Sequence, residues 1–558
     1  MNNTGYFQSL WLYLWGLIKQ SFVYRILRRC YDGISGAWQR SAITNVFRRE
    51  HFAEGCAESS VIGKILFSPF TFLNWLKKKF GAGLKAKVET SRIMRICNIY
   101  LEKLTARDPV LVGVLLLIAA LAAVAGFVFG GADAALKAAV AAIAVFAGLF
   151  VVFLILKSTL AGVYITVFLA PLAPTMAMVG LVGLCFVSVL YRALTDDDFK
   201  WRTGGVGFLM LGFLAVYLIA SLNSFAMINS LSIFAIYLVF MLFYFVVINT
   251  VRTKKQLFSA LTVFAVSGVI VCLYGIAQYV FGWDASAAWI DDEMFSDIKM
   301  RVYSTLENPN VLGEYILLVL PICAALMWQK PKTLSKLVFA VFTGVLLVTL
   351  ILTFSRGCWI GAMVIAGLFV TFVCGKIWGL ALIALPFVPM VLPESIINRF
   401  LSVGDMKDSS TSYRVYIWMG SLAMVKDFWA SGIGPGTEAF KAVYPFYSYS
   451  GIVAPHSHNM FLQILVESGI VGIGVFLTTL FMFGKTMIDG YQATEKKGSA
   501  LGTMIVAICT GVIGFAVQGM FDNCFYNYRV FLIFWFTLAL GISAVNIAKS
   551  EKAVSEND

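Results

Sequence analysis

Two of the three histidines in the chain stand in one short stretch, Ala454-Pro455-His456-Ser457-His458-Asn459, where a long polar segment runs into an apolar one. A neutral imidazole at such a boundary can take a proton from a sugar hydroxyl near neutral pH. The plainer reading is a helix start in which Pro455 stiffens the turn and His456 or Ser457 caps it. Two arginines widen the chemistry. Arg356, in Phe354-Ser355-Arg356-Gly357, is wedged between two apolar runs, and Arg414 opens a helix in a polar loop. A guanidinium grips phosphate oxygens as a bidentate fork, and a helix N-terminus beside Arg414 adds N–H groups suited to an anion. Taken singly, Arg356 could snorkel to headgroups and Arg414 could be a solvated surface charge. Taken together, the set can hold a diphosphate, neutralise charge on a leaving group and deprotonate an acceptor. A polyprenyl-diphosphate-linked glycan brings such a group to a membrane surface and needs no further energy source.

The elements that must position these residues are membrane helices. Of 558 residues, 60% are hydrophobic and 13% charged, with a mean hydropathy of +0.84. Soluble domains are nearer half apolar and a quarter charged. Apolar runs of bilayer length recur along the chain. The expected fold is an all-α polytopic membrane protein of about 12–14 transmembrane helices with a large external loop carrying short helices. The runs fall at 110–130, 135–156, 158–175, 177–194, 204–222, 229–249, 257–281, 311–328, 337–354, 358–375, 377–393, 460–484, 501–521 and 530–548. No cleavable signal peptide is expected at the N-terminus.

Charge sets the expected orientation. Arg252-Thr253-Lys254-Lys255, Lys330 to Lys336 and Lys485 to Lys497 fall on one side by this count and should be cytoplasmic, with both termini. The segments near 282–310, 355–357, 394–459 and 522–529 then lie outside the plasma membrane. The net charge of +13 is concentrated at the start: residues 1–105 carry sixteen Lys and Arg against six Asp and Glu. That surplus suits anionic lipid on the inner leaflet and not nucleic acid. The expected organisation is a basic interfacial segment 1–105, N-terminal transmembrane helices 106–200, a core 201–548 that includes the external loop 394–459, and a cytoplasmic tail 549–558.

The external segments hold the remaining polar patterns. Arg301 precedes Asn308-Pro309-Asn310, which reads first as helix-cap and turn chemistry. The long loop carries Tyr413, Arg414 and Trp418 on a helix running to about Asp427. Gly432-Ile433-Gly434-Pro435-Gly436 follows as a turn and is no dinucleotide fingerprint, because no strand precedes it. Asp522 and Arg529 are further site candidates or, alternatively, a surface ion pair. The ten cysteines are scattered without Cys-x-x-Cys, so no metal site or disulfide framework is expected. No nucleotide-binding loop occurs, and nothing points to ATP or a nucleotide sugar.

His458-Asn459, Leu462, Glu467, Gly469 and Gly472 together resemble the signature of the O-antigen ligase and polymerase family, lipid-linked glycan ligases in which a His-Asn pair opens a helix continuing as Leu-x-x-x-x-Glu-x-Gly-x-x-Gly. The resemblance runs over roughly residues 200–545 and is strongest at 408–472, with support from Asn308–Gly313 and Ser355–Gly361. It implies that His458, Arg414 and Arg356 are the catalytic set, with His456 the runner-up base. It also implies an upstream basic residue, here Arg301, acting with Asn308 and Asn310. Asn459, His456, Tyr413, Trp418 and Asp522 complete the expected substrate-binding set. The family chemistry is an inverting transfer from an undecaprenyl-diphosphate-linked oligosaccharide to a glycan, lipid or protein hydroxyl, with neither metal nor cofactor. Ligase and polymerase use the same donor and are not separated. The basic N-terminal extension departs from the compact family pattern. Glu467 lies two and a half helical turns past His458, on the opposite face, and reads as a packing or gating carboxylate. A transporter or flippase of the same lipid would need charges near mid-membrane; a non-catalytic scaffold would need only the loop.

Overall fold

The structure is a computed structural model. It describes residues 60–105, 145–283, 300–329, 333–375, 393–402, 409–494 and 498–555, with a few scattered positions besides. The chain divides into Met1–Ile65, of which little is described, and Leu66–Asp558, which holds everything that follows. Among the described residues there are α-helices and short 3-10 turns and no strand.

In chain order the helices are α1 (Val61–Thr90), α2 (Arg92–Thr105), α3 (Val145–Lys157), α4 (Thr159–Leu169), α5 (Thr175–Thr195), α6 (Gly204–Leu222), α7 (Met227–Thr250), α8 (Lys254–Phe281), α9 (Pro309–Gln329), α10 (Thr333–Leu352), α11 (Arg356–Val373), α12 (Glu394–Leu401), α13 (Ser409–Phe428), α14 (Thr437–Val443), α15 (Met460–Ala493), α16 (Ala500–Gln518) and α17 (Tyr528–Ser555). Ten of them are long and apolar enough to cross a bilayer: α5 to α11 and α15 to α17. They meet ten of the fourteen expected spans. The expected spans at 110–130 and, for the most part, 377–393 lie outside the described residues, as do the first apolar stretches of the basic N-terminal segment. Of the expected spans at 135–156 and 158–175, the first is described only in part, as α3, and the second is represented by α4, which is shorter than a full crossing. Pro171 and Pro174 account for the second: the chain leaves α4 in a turn and re-enters a helix at Thr175.

Local sequence sets the helix ends. Thr253 and Gln256 form a reciprocal capping box at the start of α8, which Gly282 ends in a left-handed turn at φ 67°. Ser499 caps α16, Asn459 caps α15, and Asn527 accepts from the first N–H groups of α17. Helices α9 and α17 are apolar on every face and lie at the centre of the bundle, as such helices must. Around α17, Phe476, Phe515, Phe531, Phe534 and Trp535 form a wholly buried aromatic cluster. Helices α11 and α16 cross very closely: a Cβ on Gly361 would stand 2.7 Å from the Gly514 carbonyl oxygen.

Helix α1 lies against the α5–α6 connection. Phe70 packs edge-on to Trp201 with centroids 5.2 Å apart, and Lys77 Nζ donates to the carbonyls of Asp197 and Phe199 at 2.9 and 3.3 Å. Hydrogen bonds bring the connections after α6, α8, α10 and α16 together with the loop ahead of α15 at one end of the bundle. The connections after α5, α7, α9 and α15, the last three of them basic, share the other.

Helix α15 is broken. Gly469 has φ 68° inside it, and a Cβ there would stand 2.5 Å from the Ala430 carbonyl oxygen. The loop segment after α13 enters this break: Ile433 N–H donates to Val466 O, Gly434 N–H to Glu467 O, and Ile470 N–H to Trp429 O. The break thus fixes the long loop onto the membrane core and satisfies the carbonyls that the kink releases.

Candidate active site

Near Met460 the chain makes a tight turn that aims two imidazoles. His458 takes φ 48°, a left-handed conformation costly for any side-chain-bearing residue. Three sets of bonds hold it there. Ser457 N–H donates to Gln463 Oε1 at 2.7 Å, Ser457 Oγ to Asn459 O at 2.9 Å, and Met460 N–H to the carbonyls of Gly519 and Asp522 at 2.7 and 3.0 Å. Trp418 on α13 adds a fourth, donating its indole N–H to His458 O at 3.3 Å.

The His458 ring faces Asp522, on the α16–α17 connection, with Nδ1 3.0 Å from Oδ1. Asn310 Nδ2 donates to Asp522 Oδ2 at 2.7 Å, and Arg414 stands 4.0 Å from the same oxygen. Burial alone would raise the pKa of Asp522. The His458 hydrogen bond and the charges of His458, Arg414 and His456 outweigh it and hold the carboxyl well below the usual carboxylate range. Asp522 is therefore an anion that accepts from the Nδ1–H of His458, which leaves Nε2 to the cavity.

His456 is different. Its Nδ1 accepts the backbone N–H of His458 at 3.2 Å, and its ring lies 4.2 Å from the His458 ring and 4.7 Å from that of Tyr526. Burial first, then the neighbouring His458, push its pKa down to about 3. A ring that refuses a proton at neutral pH serves poorly as a base and well as a fixed acceptor.

These groups line a cavity of about 430 Å3 together with Arg301, Asn308, Glu314, Arg399, Ser409, Tyr413 and Arg414. A small recess beside it is lined by Arg301, Ser355, Arg356, Gly357, Arg399 and Arg414. Four guanidinium groups from separate parts of the chain thus converge on one place. Arg301 donates to Thr353 O and to Asn310 Oδ1, both at 2.9 Å. Burial and the nearby Arg399, Arg414 and Arg356 lower its pKa to about 9, which still leaves it charged at neutral pH. Arg356 starts α11 and reaches over to α12 and α13: Nη1 donates to Ser402 O and Oγ at 3.0 and 2.8 Å, and Nη2 to Ser410 Oγ at 3.5 Å. Gly357 leaves room for the Gln518 side chain, which a Cβ would strike.

The expected site residues separate into two groups. His458, His456, Arg414, Arg356, Arg301, Asn308, Asn310, Tyr413 and Asp522 line the cavity or its recess. Asn308 caps α9 by accepting Asn310 N–H at 2.8 Å, while Asn310 bridges Arg301 and Asp522, so each reading of Asn-Pro-Asn holds for one asparagine. Asn459 and Trp418, expected to bind substrate, line neither space. Asn459 accepts Leu462 N–H and donates to Met520 O, and Trp418 pins the backbone of His458. Asp522 and Arg529 form no surface pair: Asp522 belongs to His458, and Arg529 meets Glu307 at 3.4 Å. Arg414 sits in the second turn of α13, with Ser409 and Ser410 ahead of it on the cavity wall. Glu467 is a structural group. It accepts from Gly436 N–H, Gln463 Nε2 and Tyr217 Oη at 2.9–3.0 Å, tying the loop to α6 and α15.

Arg399 was not legible as a site residue. It ends the eight-residue helix α12, is 7% exposed, and lines both spaces. Its signal was an arginine on an amphipathic stretch just where the long loop begins.

His456, His458 and Asp522 also bring ligand-type atoms within 4.8 Å of one another, the one such group among the described residues. His456 Nδ1 accepts the His458 backbone N–H, His458 Nδ1 meets Asp522 Oδ1, and guanidinium groups stand around all three.

The chain is an all-α polytopic bundle with an imidazole–carboxylate pair beside clustered arginines, the site of a membrane protein. Residues 339–477, from α10 through the long loop into α15, match the family model described as O-Antigen ligase. This is the family that the His-Asn signature resembles, and it supports a membrane glycan ligase- or polymerase-type function. No curated protein matches the chain.

Proposed function

We propose that the protein transfers or polymerises an undecaprenyl-diphosphate-linked oligosaccharide onto an acceptor hydroxyl at the outer face of a bacterial plasma membrane, with both termini cytoplasmic. The observation that carries this reading is the 3.0 Å contact between His458 and the Asp522 carboxylate inside a cavity walled by arginines. Asp522 fixes the ring and its tautomer, so Nε2 is the proton acceptor. The acceptor oxygen attacks the anomeric carbon of the donor sugar, its proton passes to Nε2, and the bond from that carbon to the diphosphate oxygen breaks. The electron pair leaves with undecaprenyl diphosphate. Arg301, Arg356, Arg399 and Arg414 neutralise that leaving group, and attack opposite to it inverts the anomeric centre. Basic residues at the far end of the bundle, Arg252, Lys254 and Lys255 among them, favour a cytoplasmic placement for that end and an outer one for the cavity.

The test is reconstitution of the full chain with lipid-linked oligosaccharide and measurement of released undecaprenyl diphosphate. Release that requires an acceptor hydroxyl and fails in His458→Ala supports the transferase. Passage of intact donor across the bilayer without cleavage would replace it with a transporter.

A further inference from the structure

A second cavity, of about 360 Å3, opens on the same end of the bundle and shares one residue, Tyr526, with the first. Its chemistry is different. The first cavity is walled by guanidinium groups, whereas this one has a single arginine, Arg529, facing a single carboxylate, Glu307. Thr305, Asn527 and Pro174 complete the part that matters here.

Arg529 is the unusual group. Its side chain is 9% exposed, yet its described hydrogen bond is one contact of 3.4 Å to Glu307, whose side chain is 83% exposed. A guanidinium carries five N–H donors, and a buried one normally spends most of them. Glu307 is held in a left-handed turn at φ 66°, which costs energy for a residue with a side chain and points to a positional requirement. Asn527 uses Oδ1 to accept from Arg529 N–H and Val530 N–H, so its amide N–H2 is what remains for a ligand. Tyr526 is half exposed and rests against His456, whose ring adjoins His458.

We propose that this cavity binds a sugar ring of the acceptor glycan. The inference rests on the transferase reading above and deepens it. A sugar offers hydroxyls around an edge and a weakly apolar face. A balanced Arg–Glu pair and an amide suit the hydroxyls, and the Tyr526 ring suits the face. A diphosphate is drawn instead to the arginine-lined cavity. The order Arg414, Asp522, His458, His456, Tyr526 then sets the donor's anionic group and the acceptor's sugar on opposite sides of the base. The attacking hydroxyl enters past Tyr526 towards Nε2.

The experiment uses the full chain in nanodiscs and two probes. Inorganic pyrophosphate reports the arginine-lined cavity, and a panel of methyl glycosides and disaccharides reports the second one, read by saturation-transfer NMR. At least one glycoside should bind without being displaced by pyrophosphate. Arg529→Ala should weaken it about tenfold while leaving pyrophosphate affinity unchanged. Glu307→Gln, at an exposed side chain that folding tolerates, should weaken it in the same sense by a smaller factor. No glycoside binding, displacement by pyrophosphate, or glycoside affinity unchanged in both variants overturns the acceptor site. Loss of pyrophosphate binding in the wild type would instead overturn the donor reading, while an Arg529-dependent glycoside signal would still establish the sugar site.

Discussion

Asp522 and Glu467 are two buried carboxylates anchored to the same helix start, and they are partnered in opposite ways. Asp522 meets an imidazole, an amide and a guanidinium on the wall of an open cavity. Glu467 meets a backbone N–H, an amide and a phenol inside packed protein, and lines none of the described cavities. The first is poised to answer a charge that appears on His458. The second is saturated and answers nothing. The His-Asn…Glu-x-Gly signature therefore joins a ring that faces the cavity to a structural staple: His458 is the proposed base, while Glu467 and Gly469 hold the long loop.

The comparison is broken most severely at the base. His458→Ala should lower turnover on the lipid-linked donor by about 10³- to 10⁴-fold, with the fold retained. Asp522→Asn keeps the shape but loses the anion, and should cost on the order of 10²-fold, mostly in kcat. A near-normal rate in Asp522→Asn would make the two carboxylates equivalent and end the distinction.

Next comes Arg399→Lys. Lysine keeps the charge and loses the fork, so the donor KM should rise roughly tenfold with acceptor KM unchanged. Equal effects on both constants would place Arg399 outside the diphosphate site.

Glu467→Gln should act on stability instead. Exchanging one acceptor oxygen for an N–H2 group leaves Tyr217 or Gly436 poorly matched, at about 1–3 kcal/mol. Thermal unfolding in detergent should fall by several degrees, while turnover per folded molecule stays within about threefold. Lost turnover at unchanged stability would move Glu467 into the reaction.

The same contrast marks how far the sequence could be read. Hydropathy and loop charge foretold the membrane bundle and which polar segments share one end, because a bilayer demands uninterrupted apolar helices. That His458, Arg414 and Arg356 would gather at one place was legible because a histidine at a helix start and an arginine between apolar runs are costly unless used. The partner of His458 was harder. Asp522 lies 64 residues further on, and only folding brings the α16–α17 connection beside the α15 start. Asn459 and Trp418 line neither space for a related reason: a polar or aromatic residue next to a candidate base is often spent on holding it, and spacing cannot tell the holder from the user. Arg399 was hidden in a short helix whose amphipathic pattern fits a surface as well as a site.

The smallest effect sharpens the contrast between the two histidines themselves. His456 has an ordinary pKa near 6.5 when unfolded and about 3 in the folded protein. Between those values the unfolded chain binds a proton that the folded chain does not, so stability rises with pH through that window and falls as pH drops below about 6.5. At pH 5.5 the loss relative to pH 8 is on the order of 1 kcal/mol from this residue alone. In His456→Asn the amide oxygen stands where Nδ1 stood and can still accept the His458 N–H, but it has no proton to take up. The variant should therefore lose less stability than the wild type when the pH falls from 8 to 5.5, by about that amount. Identical pH slopes for the two proteins would mean that His456 charges in the folded state, and it would then regain standing as the base.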